Sequence, residues 1–370
     1  MSIQRLLLIA LLGFALLGCA QNNENTSSDA VQNDESATSS AVPASPADNE
    51  PTAQGDARVV RLVTHESFDA SEALLAAFED ANNARIEIVP LGDAGSMVNQ
   101  SILSKNNPLG DLLFGVDNSF LARALDADLF EPYASPALDT VDAAFQLDPE
   151  QRVTPIDYGD VCLNYDIGWF EAKGLPAPDS LDSLIDPAYK GLTVAMNPAS
   201  SSPGLAFLLT TVEAKGEEGW QAYWQALRDN DLLVTSGWSE AYFDHFTAGG
   251  GDGDRPIVVS YASSPPFTEG ATASVTTDGS CFRQIEFAGV LANAKEPELA
   301  KALIDFMLSP EFQADVPEKM FVFPVVEGIA LPDAFAQWAQ IPANPVSPDP
   351  QFIEANRDRL IEAWTDVVVR

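Results

Sequence analysis

Histidine and cysteine are scarce: two His and three Cys in 370 residues. With no CxxC pair and only His65 and His245, a His-rich zinc site or a redox motif is not expected. Basic residues are few as well. Nineteen Lys and Arg stand against 55 Asp and Glu, a formal net charge of −36. That field repels nucleic acid and anionic head groups and favours cationic ligands or saline surroundings, although most of it reads as a solubilising surface. Catalytic signatures are missing. There is no GxSxG elbow, no P-loop, no GxGxxG after a strand, and the HESFD stretch at His65 lacks the second histidine of a zincin. GGGDGD at Gly249–Asp254 is a single copy and reads as a solvated loop rather than a calcium repeat. A carboxylate pair suited to glycoside hydrolysis is not singled out among so many acids.

What is present begins with a compartment signal. Arg5 precedes an apolar run from Leu6 to Leu17, too short to span a bilayer, and the run closes on Leu16-Leu17-Gly18-Cys19. This stretch resembles a bacterial lipobox. The resemblance implies a signal peptide over 1–18, cleavage before Cys19 and lipid attached there, with more than one acyl chain giving a stable membrane anchor. Residues 19–57 form the linker. From Gln21 to Ala57 it holds no aromatic and two valines, too little apolar surface to offset ordering entropy, and as a coil it reaches on the order of 30–40 Å. In an exported chain the two remaining cysteines, Cys162 and Cys281, suggest one disulfide, with two buried thiols as the alternative.

The rest is 46% hydrophobic over the whole chain, enough for roughly two domains. RVVRLVT from Arg58, ARIEIVP from Ala84 and DLLFGVD from Asp111 read as strands, separated by helical spacing at Leu74, Leu75 and Phe78 and again around 96–105. Asp69 with Glu72 suggests a capping box. A long strand over 153–166 opens a second α/β set: LTVAM, a helix from Pro203, a helix lined by Trp220, Tyr223, Trp224 and Leu227, and PIVVSY. CFRQIEFAGVL is again long and apolar, and PELAKALIDFML is a helix. The fold class is α/β. Two lobes joined by two strands, one near Tyr158 and one near Glu286, make a hinged clam, with Cys162 and Cys281 beside the crossings.

In open α/β sheets ligands sit beyond the carboxyl ends of the strands. Those ends supply His65-Glu66-Ser67, Asp93 with Ser96, Asp117-Asn118, Asp157-Tyr158, the Ser200-Ser201-Ser202 run before Pro203, Trp238 with Glu240, and Tyr261 with Ser263. Aromatic faces beside carboxylates suit an aromatic cation. A serine-rich helix start suits an alcohol or phosphate. One molecule carrying an aminopyrimidine, a cationic ring and a hydroxyethyl or phosphate tail meets all three.

The motifs GxDN, DYG, PxxSxPGL, GWSEAY, SYxxSP and FMLSPEFQ…FPV, in this order within Arg58 to Arg370, resemble the thiamine-binding proteins of bacterial ABC importers. The resemblance implies a two-lobed type II periplasmic-binding-protein fold with two hinge-crossing strands, lobe 1 over 58–157 plus 284–370 and lobe 2 over 158–283. It implies closure on thiamine or its phosphates and delivery to an ABC permease with its ATPase, by a monomer with no cofactor, no metal and no catalytic residue. Asp93, Ser201, Trp238 and Tyr261 take the places of the family's ligand contacts. His65 and Phe267 stand where members carry tyrosine, and Phe321 where tryptophan is usual, so the site stays aromatic but loses hydroxyls. Trp238 is expected to face the ligand and Tyr242 to pack into lobe 2. Other readings are a carrier of another cation such as a polyamine, or an anchored hydrolase. The related ferric-binding group uses adjacent tyrosines, and no Tyr-Tyr pair occurs here.

Overall fold

The computed structural model describes residues 57–370; the signal segment, Cys19 and the linker up to residue 56 lie outside the described residues. Alternating apolar strands and amphipathic helices give β1 (Arg58–Thr64), α1 (Glu72–Asn82), β2 (Ala84–Pro90), α2 (Ala94–Leu103), β3 (Leu112–Asp117) and α3 (Leu121–Asp126). The chain continues through β4 (Thr154–Asp166), α4 (Ile167–Lys173), β5 (Thr193–Met196), α5 (Ser202–Asp229), β6 (Leu233–Thr235) and β7 (Ile257–Tyr261). It ends with β8 (Thr272–Val275), β9 (Phe282–Val290), α6 (Pro297–Met307), α7 (Pro310–Lys319), β10 (Phe323–Pro324), α8 (Asp333–Trp338) and α9 (Pro350–Val368). No described helix is long and apolar enough to cross a membrane.

The sheet runs β2-β1-β3-β9-β4-β7-β5-β6, with β8 and β10 also paired to β4. Each end is parallel, β1 with β2 and β3, β5 with β6 and β7. The middle is antiparallel. β4 holds it together: Thr154–Val161 pair with β9, and Val161–Tyr165 pair with β7. One 13-residue strand therefore passes from one half of the molecule to the other, and β9 runs back beside it. Cys162 and Cys281 are bonded where these two strands enter the second half, both buried, with Cα atoms 4.5 Å apart.

Two apolar cores flank the crossing. In the first half α1, α6 and α7 bury Phe78, Leu303, Met307 and Phe312 against β1, β3 and β9. In the second, Trp220, Tyr223, Trp224 and Leu227 are buried on α5, one helical face as their spacing requires. Gly216, at φ 70, breaks α5 into the two helices the sequence suggests. Trp224 packs edge-on against Phe207 and against Trp364 of α9, so the C-terminal helix reaches across to the second half.

Two local expectations are corrected. Asp69 does not cap α1: Ser71 holds that position, and its N–H and Oγ both donate to Asp315, at 2.8 and 2.6 Å. The second helix starts at Ala94 rather than near 96, because the Asp93 side chain accepts the Ala94 N–H at 2.6 Å and caps it there.

Candidate functional site

Between the halves lies a cavity of about 370 Å³. Its wall in the second half is aromatic. The indole of Trp238 is held by its Nε1–H donating to Ser260 Oγ at 3.0 Å and stacks on Tyr242, with centroids 4.9 Å apart. Tyr261 stands 6.4 Å away at an angle of 61°. Phe243 and Phe267 continue the wall to the rim, where both are exposed, and Phe321 meets Phe267 edge-on at 5.2 Å. Residues 240–245 form a π-helical turn, which brings Trp238, Tyr242 and Phe243 to one side.

The opposite wall is acidic. Asp93, Glu66 and Glu286 line it, with Glu318 near the mouth. Asp93 caps α2 from the first half, yet its other oxygen accepts the Trp238 N–H at 2.8 Å, and Oδ1 also receives the Ser202 N–H at 3.4 Å. This crossing explains the glycine before Trp238: a Cβ on Gly237 would sit 3.1 Å from the Asp93 carboxylate. Burial pushes the Asp93 carboxyl up, against the hydrogen bonds it accepts from Trp238, Ser201 and Ala94.

His65 follows β1 and lies over Gly115, where φ is +97° and a Cβ would collide with the imidazole. Its Nδ1 accepts the Ser67 N–H at 3.2 Å, so Nε2 carries the proton that faces Glu286, 3.4 Å away. Burial lowers the His65 pKa, but the carboxylates of Glu286, Asp93 and Glu66 outweigh it and the net shift is upward. For Glu286 burial favours the neutral form, but the nearby His65 and the neighbouring Asp157 and Gln284 outweigh it and the net shift is downward. Asp157 lies opposite Glu286 in the β4–β9 register. Burial, then the Glu286 charge, drive its carboxyl well above the usual carboxylate range.

Of the residues proposed from sequence, His65, Asp93, Ser202, Trp238, Tyr261, Phe267 and Phe321 meet at this cavity. Ser201 lies just behind, as the N-cap of α5. Asp117 is buried and accepts from Ser119 Oγ and the Phe120 N–H; burial raises its carboxyl to about 7. Tyr158 and Glu240 stand elsewhere. Tyr158 is stacked between Phe145 and Phe323 with Arg283 over its ring, and Glu240 folds back onto the N–H and Oγ of Ser236. Tyr242 is buried as expected, yet it also touches the cavity. Glu286 was missed, and so were Glu318, Lys319, Met320 and Val322 around the expected Phe321. A lone carboxylate within the apolar run of β9 was the available signal for Glu286. Among the described residues no group of His, Cys, Asp and Glu is arranged to hold a metal ion.

Residues 107–356 match the family profile of bacterial extracellular solute-binding proteins. Similar curated proteins include the thiamine-binding periplasmic protein of Salmonella typhimurium, 32% identical over 84% of this chain and 94% of its own length. That of Escherichia coli is 31% identical with the same coverage. Among solved structures a periplasmic thiamin binding protein superposes with a TM-score of 0.76 at 28% identity, covering 84% of this chain and 96% of that one. The two-lobed type II periplasmic-binding-protein fold, with β4 and β9 as its crossing strands, follows from the topology and this match.

Proposed function

This chain belongs to the bacterial extracellular solute-binding proteins, and from that premise we propose that it captures thiamine outside the cytoplasm for an ABC importer. One observation carries the reading: Trp238, Tyr261, Asp93 and Glu286, from four separate segments, line a single inter-lobe cavity. The relatives named for thiamine binding support it. The cationic ring lies against the indole face, where cation–π attraction contributes about 0.5–2 kcal/mol. The carboxylates of Asp93 and Glu286 supply the opposite charge, and Ser202 meets the polar tail. His65, Phe267 and Phe321 complete the aromatic enclosure, and Ser201 and Asp117 support the start of α5 and the end of β3.

Lobe 1 comprises 58–157 and 284–370, with α9 reaching over to α5, and lobe 2 comprises 158–283. Closure of the lobes presents the loaded monomer to a permease with its ATPase. The body hangs from the membrane by lipid on Cys19 through the 19–57 linker. The reading assigns no chemical step. Calorimetric titration with thiamine, spermidine and ferric citrate tests it: thiamine binds and the other two do not. Absence of a thiamine signal overturns the assignment.

A further inference from the structure

His65 is held in two ways that conflict. Its ring sits on Gly115, where a Cβ would lie 2.2 Å from Cδ2, and beside Phe114, with ring centroids 5.7 Å apart. Its Nδ1 accepts the Ser67 N–H at 3.2 Å. Acceptance needs a free lone pair, so this contact belongs to the neutral imidazole. In the imidazolium both nitrogens donate, and the Ser67 N–H would face another donor. The same serine reaches across the cleft, its Oγ 3.1 Å from Ser239 Oγ. Neutral His65 is therefore built into a contact between the two halves.

The surrounding charges ask for the opposite. Glu286 on β9 faces Nε2 at 3.4 Å, Asp93 stands at the start of α2, and Glu66 is the next residue in the chain. β3 presents Gly115 and the Phe114 ring to the imidazole. Asp117 at its end, Asp157 on β4 and Tyr261 on β7 lie around Glu286. Lys319 of α7, the other basic group on the cavity wall, is paired with Asp69 at 3.4 Å. Burial opposes charge on the His65 ring, and the three carboxylates of Glu286, Asp93 and Glu66 outweigh it. The wall thus favours a proton on His65 as long as its carboxylates have no other cation. A cationic ligand beside Asp93 and Glu286 supplies that charge, and closure of the lobes removes water. Both changes drive the proton off.

We propose that His65 is a ligand-linked proton site: it is charged in the unliganded protein and gives its Nδ1 proton to solvent when the ligand's positive charge arrives, which frees Nδ1 for the Ser67 N–H and sets the Ser67–Ser239 contact. This rests on the thiamine reading. The chain has two histidines, so imidazole NMR of the intact folded protein reads His65 directly, its signal identified by persistence in His245→Gln. With saturating thiamine His65 should titrate lower by about one pH unit or more. Calorimetry in buffers of different ionisation enthalpy should show release of up to about one proton per thiamine. Affinity should rise with pH, by up to about tenfold per unit, between the bound and the free titration of His65 and level off above it. His65→Gln should bind, at whatever affinity, without that release or slope; the ligand's own titration is common to both chains. Thiamine binding with an unmoved His65 titration overturns the proposal and leaves the thiamine reading standing. Undiminished proton release in His65→Gln assigns the proton to another group and overturns it as well. Should the variant fail to fold or bind, the NMR titration of the parent decides alone. If thiamine does not bind the parent, the reading falls and the proposal with it.

Discussion

The backbone N–H of Trp238 donates to Oδ2 of Asp93 at 2.8 Å, across 145 residues of chain and from one half of the molecule to the other. The same carboxylate caps α2, so one side chain ties a helix start in the first half to the aromatic wall of the second. Ser96 N–H to Ser200 O at 3.1 Å and the Ser67–Ser239 hydroxyl pair at 3.1 Å span the same gap. Asp93→Asn replaces one accepting oxygen with an NH2 that must face an N–H donor. Thiamine affinity is expected to fall by about 2–3 kcal/mol. The preference for thiamine over a neutral analogue should shrink as well. Calorimetry reads both, and small-angle scattering should show a more open unliganded body; unchanged affinity with unchanged dimensions would remove Asp93 from the closure.

Trp238 and Trp220 separate site from core. Trp238 is half-buried on the cavity wall, whereas Trp220 is fully buried on α5. Trp238→Ala is expected to weaken thiamine binding by roughly 2–4 kcal/mol through lost stacking and cation–π attraction. Trp220→Phe should leave the binding constant nearly as it is and lower unfolding stability by about 1–3 kcal/mol. Titrations paired with urea melts check the split.

The Cys162–Cys281 bond closes a loop of sequence separation 119 between the crossing strands. Replacing both cysteines with alanine is expected to cost about 2–5 kcal/mol of stability. Alkylation of the parent, unfolded without reductant, should label neither residue; two labelled thiols would refute the bond.

Asp117 makes stability depend on pH. Its carboxyl is about 7 when folded against an ordinary 3.8, because burial disfavours the charge. Between those values the folded chain keeps a proton that the unfolded chain releases, so stability is fully present below the ordinary value and falls as pH rises toward about 7. The slope from this one group is about 1.4 kcal/mol per pH unit. Asp117→Asn should flatten that part of the profile in denaturant titrations from acid to neutral pH; a parental slope in the variant would assign the effect elsewhere.

Cys19→Ser tests the anchor. The variant is expected in the soluble extracytoplasmic fraction or as unprocessed precursor, read by fractionation and mass spectrometry. Normal processing with detergent-requiring membrane association would rule the lipid out.

The sequence by itself carried the α/β class, the long crossing strands and the core face of α5, because these depend on periodicity within a few residues. It also marked Trp238, Tyr261 and Asp93 as strand-end or loop residues, and all three line the cavity. It misplaced Tyr158 and Glu240 for a local reason. A position at a strand end says where the Cα lies, while alternate side chains point to opposite faces, and Tyr158 turns into an aromatic sandwich as Asp157 turns toward Glu286. Only the tertiary structure decided that Glu286, read from sequence as part of an apolar strand, faces His65 at the cavity. It alone showed that the Ala94, Ser202 and Trp238 N–H groups converge on Asp93. Those relationships join residues from Glu66 to Phe321 through the order of strands in the sheet. Hydrogen-bond donors and charges act over a few ångströms of space, and no pattern confined to neighbouring positions states which distant residues will share that space.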